Sequence, residues 1–354
     1  MMTEKDKLFF FSLFIFLLAG IEVQGSHHHH HHRHRRQNLQ LQKLFVFGDS
    51  YADTGNIRKL LANSWKEPYG ITFPGKPSGR FSDGRVFTDY LASFMGIRSP
   101  IPYRWKDIGP KPLRHGMNFA YGGTGVFNTL VPFPNMTTQI DLFQQLIERG
   151  VYTKWDLQYS MAHVSVAGND YTAYQARNGS IAGIQDFITS LINQLTLDLK
   201  RITDLGIKKI SVTGLEPIGC LPQVTVTSSY QKCDDTFNQA ANFHNLLLEN
   251  AVKDLNTNGN GSTIMILNLY KVFDSIIKSP GNQGRWKFEN PLTPCCKGVS
   301  SAFSCGNLDG NGTKMYTVCE RPESAFFWDG VHPSQTGWAA ISSSLKTALY
   351  NLSS

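Results

Sequence analysis

Leu44-Phe45-Val46-Phe47-Gly48-Asp49-Ser50 opens the part of the chain able to build a core. Four consecutive apolar residues, with no polar alternation, read as a strand covered on both faces. Similar runs return at 117–120, 162–167, 209–213 and 263–267. Helical stretches fall between them, at 86–94, 140–147, 184–205 and 237–255, with a closing helix at 335–349 and Ser334 as its N-cap. In the longest of the first four, Ile184, Phe187, Ile188, Leu191, Ile192, Leu195 and Leu199 keep to one helix face. Strands alternating with long helices predict βαβ units and a mainly parallel sheet in an α/β fold. Such sheets bind ligands outside the carboxyl ends of their strands, which is where Gly48-Asp49-Ser50 falls.

What precedes this run has another use. Residues 8–19 are apolar, too short to span a bilayer and the length of a secretory core. Residues 1–25 are therefore expected to be a signal peptide cut near Gly25, and no transmembrane segment is expected. Residues 26–43, with His27–His32 and Arg33-His34-Arg35-Arg36, are polar and low in complexity, a disordered segment outside the fold. That tract supplies part of the net charge of +7, so the basic balance argues little for nucleic acid. No nucleic-acid-binding motif accompanies it. With no linker, repeat or charge block after it, 44–354 reads as a single domain.

The six cysteines are Cys220, Cys233, Cys295, Cys296, Cys305 and Cys319. An even count behind a signal peptide reads as disulfides. Cys220 is expected to close a local loop with Cys233, and the neighbours Cys295 and Cys296 each to reach elsewhere. The spacings lack the C-x2-C pairs of a zinc site, so no metal is expected. Sequons at Asn135, Asn178, Asn260, Asn311 and Asn351 fit a secreted, surface-glycosylated chain.

Only four histidines lie beyond residue 34: His115, His163, His244 and His332. His163 sits inside an apolar run, His244 inside a helical stretch, and nothing near His115 marks it as a base. His332 follows Asp329 by three residues, a spacing that lets one carboxylate hold the imidazole on a turn. Ser50 is a nucleophile candidate, since a serine needs such a base to lose its proton. Read alone, Gly48-Asp49-Ser50 is more readily a turn with an Asx or N-cap role, and Asp329-Gly330 a turn before a surface histidine. Donors for an oxyanion are available in the Gly-rich stretch 118–125 and at Asn169 after the run 162–167. Neither a P-loop nor a Gly-x-Gly-x-x-Gly pattern is present, so nucleotide binding is disfavoured. Asp49, Asp53 and Asp170 read as turn-holding residues.

Phe47 to Asn56 resembles the first block of the GDSL (SGNH) hydrolases, Asn118 to Gly125 the second, Gly168-Asn169-Asp170 the third and Asp329-x-x-His332 the fifth. The stretch 79–85 and the Cys295-Cys296 neighbourhood resemble the plant secreted esterase/lipase branch. The resemblance implies a three-layer α/β/α flavodoxin-like fold with about five sheet strands. It implies Ser50 as nucleophile, His332 as base and Asp329 as its orienting partner. The implied oxyanion donors are Ser50, Gly123 and Asn169, with Gly122 as the alternative glycine. A leucine usual after the serine is Tyr51 here, expected to alter packing rather than chemistry. The implied activity is secreted serine ester hydrolysis through an acyl-enzyme, with no cofactor. Its ester substrate would be a lipid, an acylated metabolite or an acetylated polysaccharide. A non-catalytic glycan- or partner-binding member of the same fold is the other reading.

Overall fold

The computed structural model describes residues 41–354 except 260, 282, 283 and 285. The expected signal peptide 1–25, most of the segment 26–43 and the sequon at Asn260 lie outside the described residues. Leu44 through Gly48 are buried without exception, as expected for a strand with helices on both sides, and form β1 (Lys43–Gly48). The sheet continues with β2 (Ile101–Pro102), β3 (Gly116–Asn118), β4 (Ser160–Ser165), β5 (Lys209–Thr213) and β6 (Thr263–Leu267). Their order is β2-β3-β1-β4-β5-β6, and every pairing is parallel. The sixth strand, beyond the five expected, is β2. Two residues ending in a proline carry no periodicity, and Pro102 has no N–H to give a neighbour, so the strand sits at the edge.

Strand pleating sorts β1 between two layers. Phe45 and Phe47 face one side, where Phe143 of the helix Met136–Glu148 lies with ring centroids 4.6 and 5.6 Å away. The helices Ile184–Asp204 and Asp235–Asn258 extend that layer. Val46 pairs in register with His163 on the other side, where Phe87 of the helix Phe87–Phe94 packs at 5.1 Å from the His163 ring. Trp338 of the helix Gln335–Ser344 joins it there. Each fully buried aromatic contributes roughly 1.5–3 kcal/mol through removal from water. The predicted closing helix is two, Gln335–Ser344 and Lys346–Ser353. Three serines precede the break, and the Ser344 hydroxyl bonds the Ala340 carbonyl, the type of competition that interrupts helices. Ser334 caps the first of them, accepting from the Gly337 N–H.

Both neighbouring cysteines do reach elsewhere: Cys295 bonds Cys319 and Cys296 bonds Cys305, while Cys220 closes on Cys233. The short hairpin of β7 (Cys296–Gly298) and β8 (Tyr316–Val318) carries two of these bridges. Among the described residues no helix is long and apolar enough to cross a membrane.

Gly48 ends β1 at φ +142°, and a Cβ there would stand 1.9 Å from the Ser165 carbonyl oxygen of β4. Any side chain would wedge the two central strands apart. Gly48→Ala is expected to cost about 3 kcal/mol of stability, from strain and overpacking together. A urea titration reads this directly, and an unmoved midpoint would contradict the account.

Candidate active site

The strand order reverses between β1 and β4, and the carboxyl ends of β1, β3, β4 and β5 open there. This is the crevice where parallel sheets hold ligands. Ser50 follows β1 in a single turn, closed by the Ala52 and Asp53 N–H groups on the Asp49 carbonyl. The turn does not continue as a helix, because Asp53 takes the Gly55 and Asn56 N–H groups instead, each at 2.7 Å. Asp49 accepts from the Tyr51 N–H at 3.0 Å. Both aspartates therefore hold the turn. Burial pushes the Asp53 carboxyl up to about 6 against these backbone donors.

The chain's far end supplies the partners. Trp328 donates its N–H to the His332 carbonyl at 2.7 Å and closes a tight turn over Asp329. His332 Nε2 stands 2.8 Å from Ser50 Oγ, and its Nδ1 lies 2.8 and 2.9 Å from the two Asp329 oxygens. Asp329 also accepts from the Val331 and His332 N–H groups and, at 2.7 Å, from the Tyr69 hydroxyl. Burial alone would raise this carboxyl, but the His332 ring and these donors hold it below the usual carboxylate range. An ionised carboxylate on Nδ1 keeps the proton there and leaves the Nε2 lone pair facing the Ser50 hydroxyl. The Cys295 and Cys296 N–H groups bond the Phe327 and Trp328 carbonyls, so the bridged hairpin backs the turn. Segment 79–85 braces it from the other side, through Ser82 on the Pro333 carbonyl and Asp83 on the Gln335 N–H.

Asn169 sits half-buried at the start of the helix Gly168–Ala176 and gives one amide hydrogen to the Thr124 carbonyl at 3.0 Å. Its second amide hydrogen is left for the crevice, where Asn169 and Ser50 line the same cavity. Gly122 donates to Asp53 at 3.0 Å, so its N–H is spent. Among the described residues, neither the Gly123 nor the Ser50 N–H meets an acceptor. Gly123, at φ +81°, is the glycine left with a donor to offer. Asp170 receives the Val126 and Phe127 N–H groups at 2.9 Å each and holds the glycine-rich loop.

Three histidines stand apart. Burial pushes His163 and His244 down to about 3; the first faces the Ser211 hydroxyl, the second the Tyr171 hydroxyl. His115 lies in the loop before β3 against Arg114. Tyr51 packs edge-on against Trp338 at 5.1 Å and donates its hydroxyl to the Val331 carbonyl at 2.9 Å. The residue following the serine thus anchors the loop of the histidine, a packing role.

Two spaces meet at this centre. A groove of about 950 Å3 runs past His332, walled by Phe81, Val131, Phe133, Val299 and Phe303. A cavity of about 190 Å3 lies on the Ser50 side. Tyr69 and Tyr230 also line the groove, while the nearby Trp65 and Tyr103 are spent on packing, against the Ile57 carbonyl and the Phe119 ring. Two features of the site escaped the sequence reading: the bond from Tyr69 to Asp329, which no local pattern marks, and Glu216. The latter stands three residues past β5, buried and facing the small cavity. A carboxylate at the carboxyl end of an apolar strand was its available signal. Among the described residues no cluster of His, Cys, Asp and Glu could hold a metal ion.

Residues 44–345 match the model of the GDSL-like lipase/acylhydrolase family. The GDSL esterase/lipase At5g03610 of Arabidopsis thaliana is 52% identical over 96% of this chain and 96% of its own length. A second Arabidopsis thaliana protein, GDSL esterase/lipase At3g09930, is 49% identical over 94% of this chain and 95% of its length. Among solved structures, the lipase Lip_vut3 from a goat rumen metagenome aligns over 87% of this chain and 97% of that one, at 12% identity and a TM-score of 0.41. So slight a likeness bears on nothing further. The family match and the two close relatives cover both ends of the site, from the Ser50 turn to the Asp329 turn, and the chain belongs to the GDSL-like lipase/acylhydrolase family of carboxylic ester hydrolases.

Proposed function

We propose that this chain is a secreted serine hydrolase that cleaves carboxylic esters through an acyl-enzyme on Ser50. The observation carrying the reading is the 2.8 Å approach of His332 Nε2 to Ser50 Oγ, with Asp329 on the opposite ring nitrogen. In the first half-reaction Ser50 Oγ bonds the ester carbonyl carbon while His332 takes its proton. The oxyanion rests on the Ser50 and Gly123 N–H groups and the Asn169 amide. Collapse breaks the bond to the alcohol oxygen, which takes the proton from His332. Water, deprotonated by the same ring, then releases the acid and restores the serine. No step calls for a cofactor.

Three disulfides and exposed sequons at Asn178, Asn311 and Asn351 support an extracellular destination. Asn135 already caps the helix Met136–Glu148 through its side-chain oxygen. Its nitrogen can carry a glycan without loss of that cap.

Asn169→Ala is expected to lower kcat on the order of 10²–10³-fold with little change in KM, because the amide acts only once the oxyanion forms. Steady-state kinetics on p-nitrophenyl acetate separate the two parameters, and a pure KM effect would remove Asn169 from the donor set. The reading as a whole is tested by p-nitrophenyl ester hydrolysis, acetate through palmitate, with fluorophosphonate labelling of Ser50. Hydrolysis with labelled Ser50 supports it. No hydrolysis at any chain length, together with an unlabelled Ser50, would leave a binding role.

A further inference from the structure

The inference rests on the hydrolase reading and concerns which ester the site takes. Around the tetrahedral carbon, three directions are committed by chemistry. One oxygen belongs to Ser50, the oxyanion points at its donors, and the leaving oxygen must reach the proton on His332 Nε2. His332 lines the wide groove and not the small cavity, so the alcohol part extends along the groove. The acyl carbon takes the remaining direction, into the cavity that Ser50 and Asn169 line. At about 190 Å3 this cavity is little larger than the engineered one of roughly 150 Å3 that accepts benzene. It suits an acyl group of a few carbons.

Its wall is not that of a fatty-acyl pocket. Glu216 and Asp49 both face it, along with Thr213 and Gln175. Asp49 is occupied by the Tyr51 N–H and by the N–H of Ala167. Ala167 holds a strained backbone at φ +128° just before Gly168. Glu216 is 6% exposed, and its carboxylate lies against Gly168, beside Asn169. The Tyr51 hydroxyl, which also reaches the Val331 carbonyl, acts on Glu216 as a donor that favours the ionised carboxylate. Its own backbone N–H and the Tyr51 hydroxyl use part of the carboxylate's roughly four acceptor positions, and the rest is left over. Burial first, with Tyr51 and His332 opposing, pushes it up to about 7, so both its forms exist near neutrality. A hydroxyl donates to one form and accepts from the other.

We propose that the cavity beside Ser50 is the acyl subsite and that Glu216 is its specificity-determining residue, selecting short acyl groups that carry a hydroxyl. The test compares kcat/KM for p-nitrophenyl 3-hydroxybutyrate and p-nitrophenyl butyrate in the full chain, with Glu216→Gln and Glu216→Leu alongside. The hydroxyacyl preference is expected to be about tenfold or more in the wild type, the size of a hydrogen bond to a charged group. It should fall to near unity in Glu216→Leu. The wild-type ratio should also rise between pH 6 and 8, as the carboxylate becomes the stronger acceptor, and stay flat in Glu216→Gln. Asp49, Tyr51, Asp170, Tyr171 and His332 face the same region. Their ionisation acts on both substrates and cancels in the ratio. The isosteric Glu216→Gln carries the test should Glu216→Leu fail to fold. A ratio equal in the wild type and Glu216→Leu, or a pH-flat wild-type ratio, overturns the inference while leaving ester hydrolysis standing. Absence of hydrolysis with unlabelled Ser50 brings down both.

Discussion

Ser50→Ala is expected to remove ester hydrolysis almost entirely, by about 10⁶-fold in kcat, the loss seen when a serine nucleophile is deleted from a triad. Without Oγ there is no atom to form the acyl-enzyme. His332 can still orient a water, but nothing holds that water at the Ser50 position. What survives is the residual catalysis of donors and binding. The fold should not notice. Among the described residues Ser50 Oγ bonds only His332 Nε2, and the turn around it rests on Asp49 and Asp53 bonds to backbone N–H groups that alanine keeps. Losing this one hydroxyl hydrogen bond costs about 0.5–1.5 kcal/mol, well short of unfolding. The measurement is kcat on p-nitrophenyl acetate beside a thermal melt of the same preparation. A folded Ser50→Ala protein that retained wild-type turnover would end the acyl-enzyme mechanism.

Asp329→Asn is expected to cost about 10⁴-fold in kcat, as an orienting aspartate does when it loses its charge. The reason is specific to this turn. Asp329 Oδ1 receives two backbone N–H groups, so the asparagine oxygen must stay there. The new amide then occupies the place of Oδ2, 2.9 Å from His332 Nδ1 and facing the Tyr69 hydroxyl. An N–H aimed at Nδ1 moves the ring proton to Nε2, and that nitrogen can no longer take a proton from Ser50. The turn stays closed, so substrate binding and KM should change far less than kcat. Pre-steady-state acylation would show the loss in the first turnover. An Asn variant within tenfold of wild type would demote Asp329 to a structural residue of the turn.

The parts of this molecule that announce themselves in sequence are those with local causes. β5 and β6 appear with the predicted bounds because each is a short apolar run between long helices. Asp329 and His332 are legible because three residues on one turn suffice to join them. The choice between Gly122 and Gly123 was not legible, since it turns on Asp53, some 69 residues away, consuming the Gly122 N–H. The role of Tyr69 was hidden for the same reason: its bond to Asp329 spans 260 positions. Glu216 lay beside a readable strand, but its meaning comes from the cavity it faces, which three strand ends form together. Local pattern thus predicts which residues stand at the rim, and tertiary contact decides which of their donors and acceptors remain free.

The bond from Ser50 to His332 joins positions 282 residues apart. A ribosome adding about 5–20 residues per second needs roughly 15–55 seconds to cover that distance. Throughout that interval the serine has been made and its base has not. On the proposed mechanism the growing chain carries a hydroxyl without the base that is placed to deprotonate it. On that mechanism, chemistry begins only when the last residues fold back onto the first strand, and a product cut short of His332 is expected to be inert.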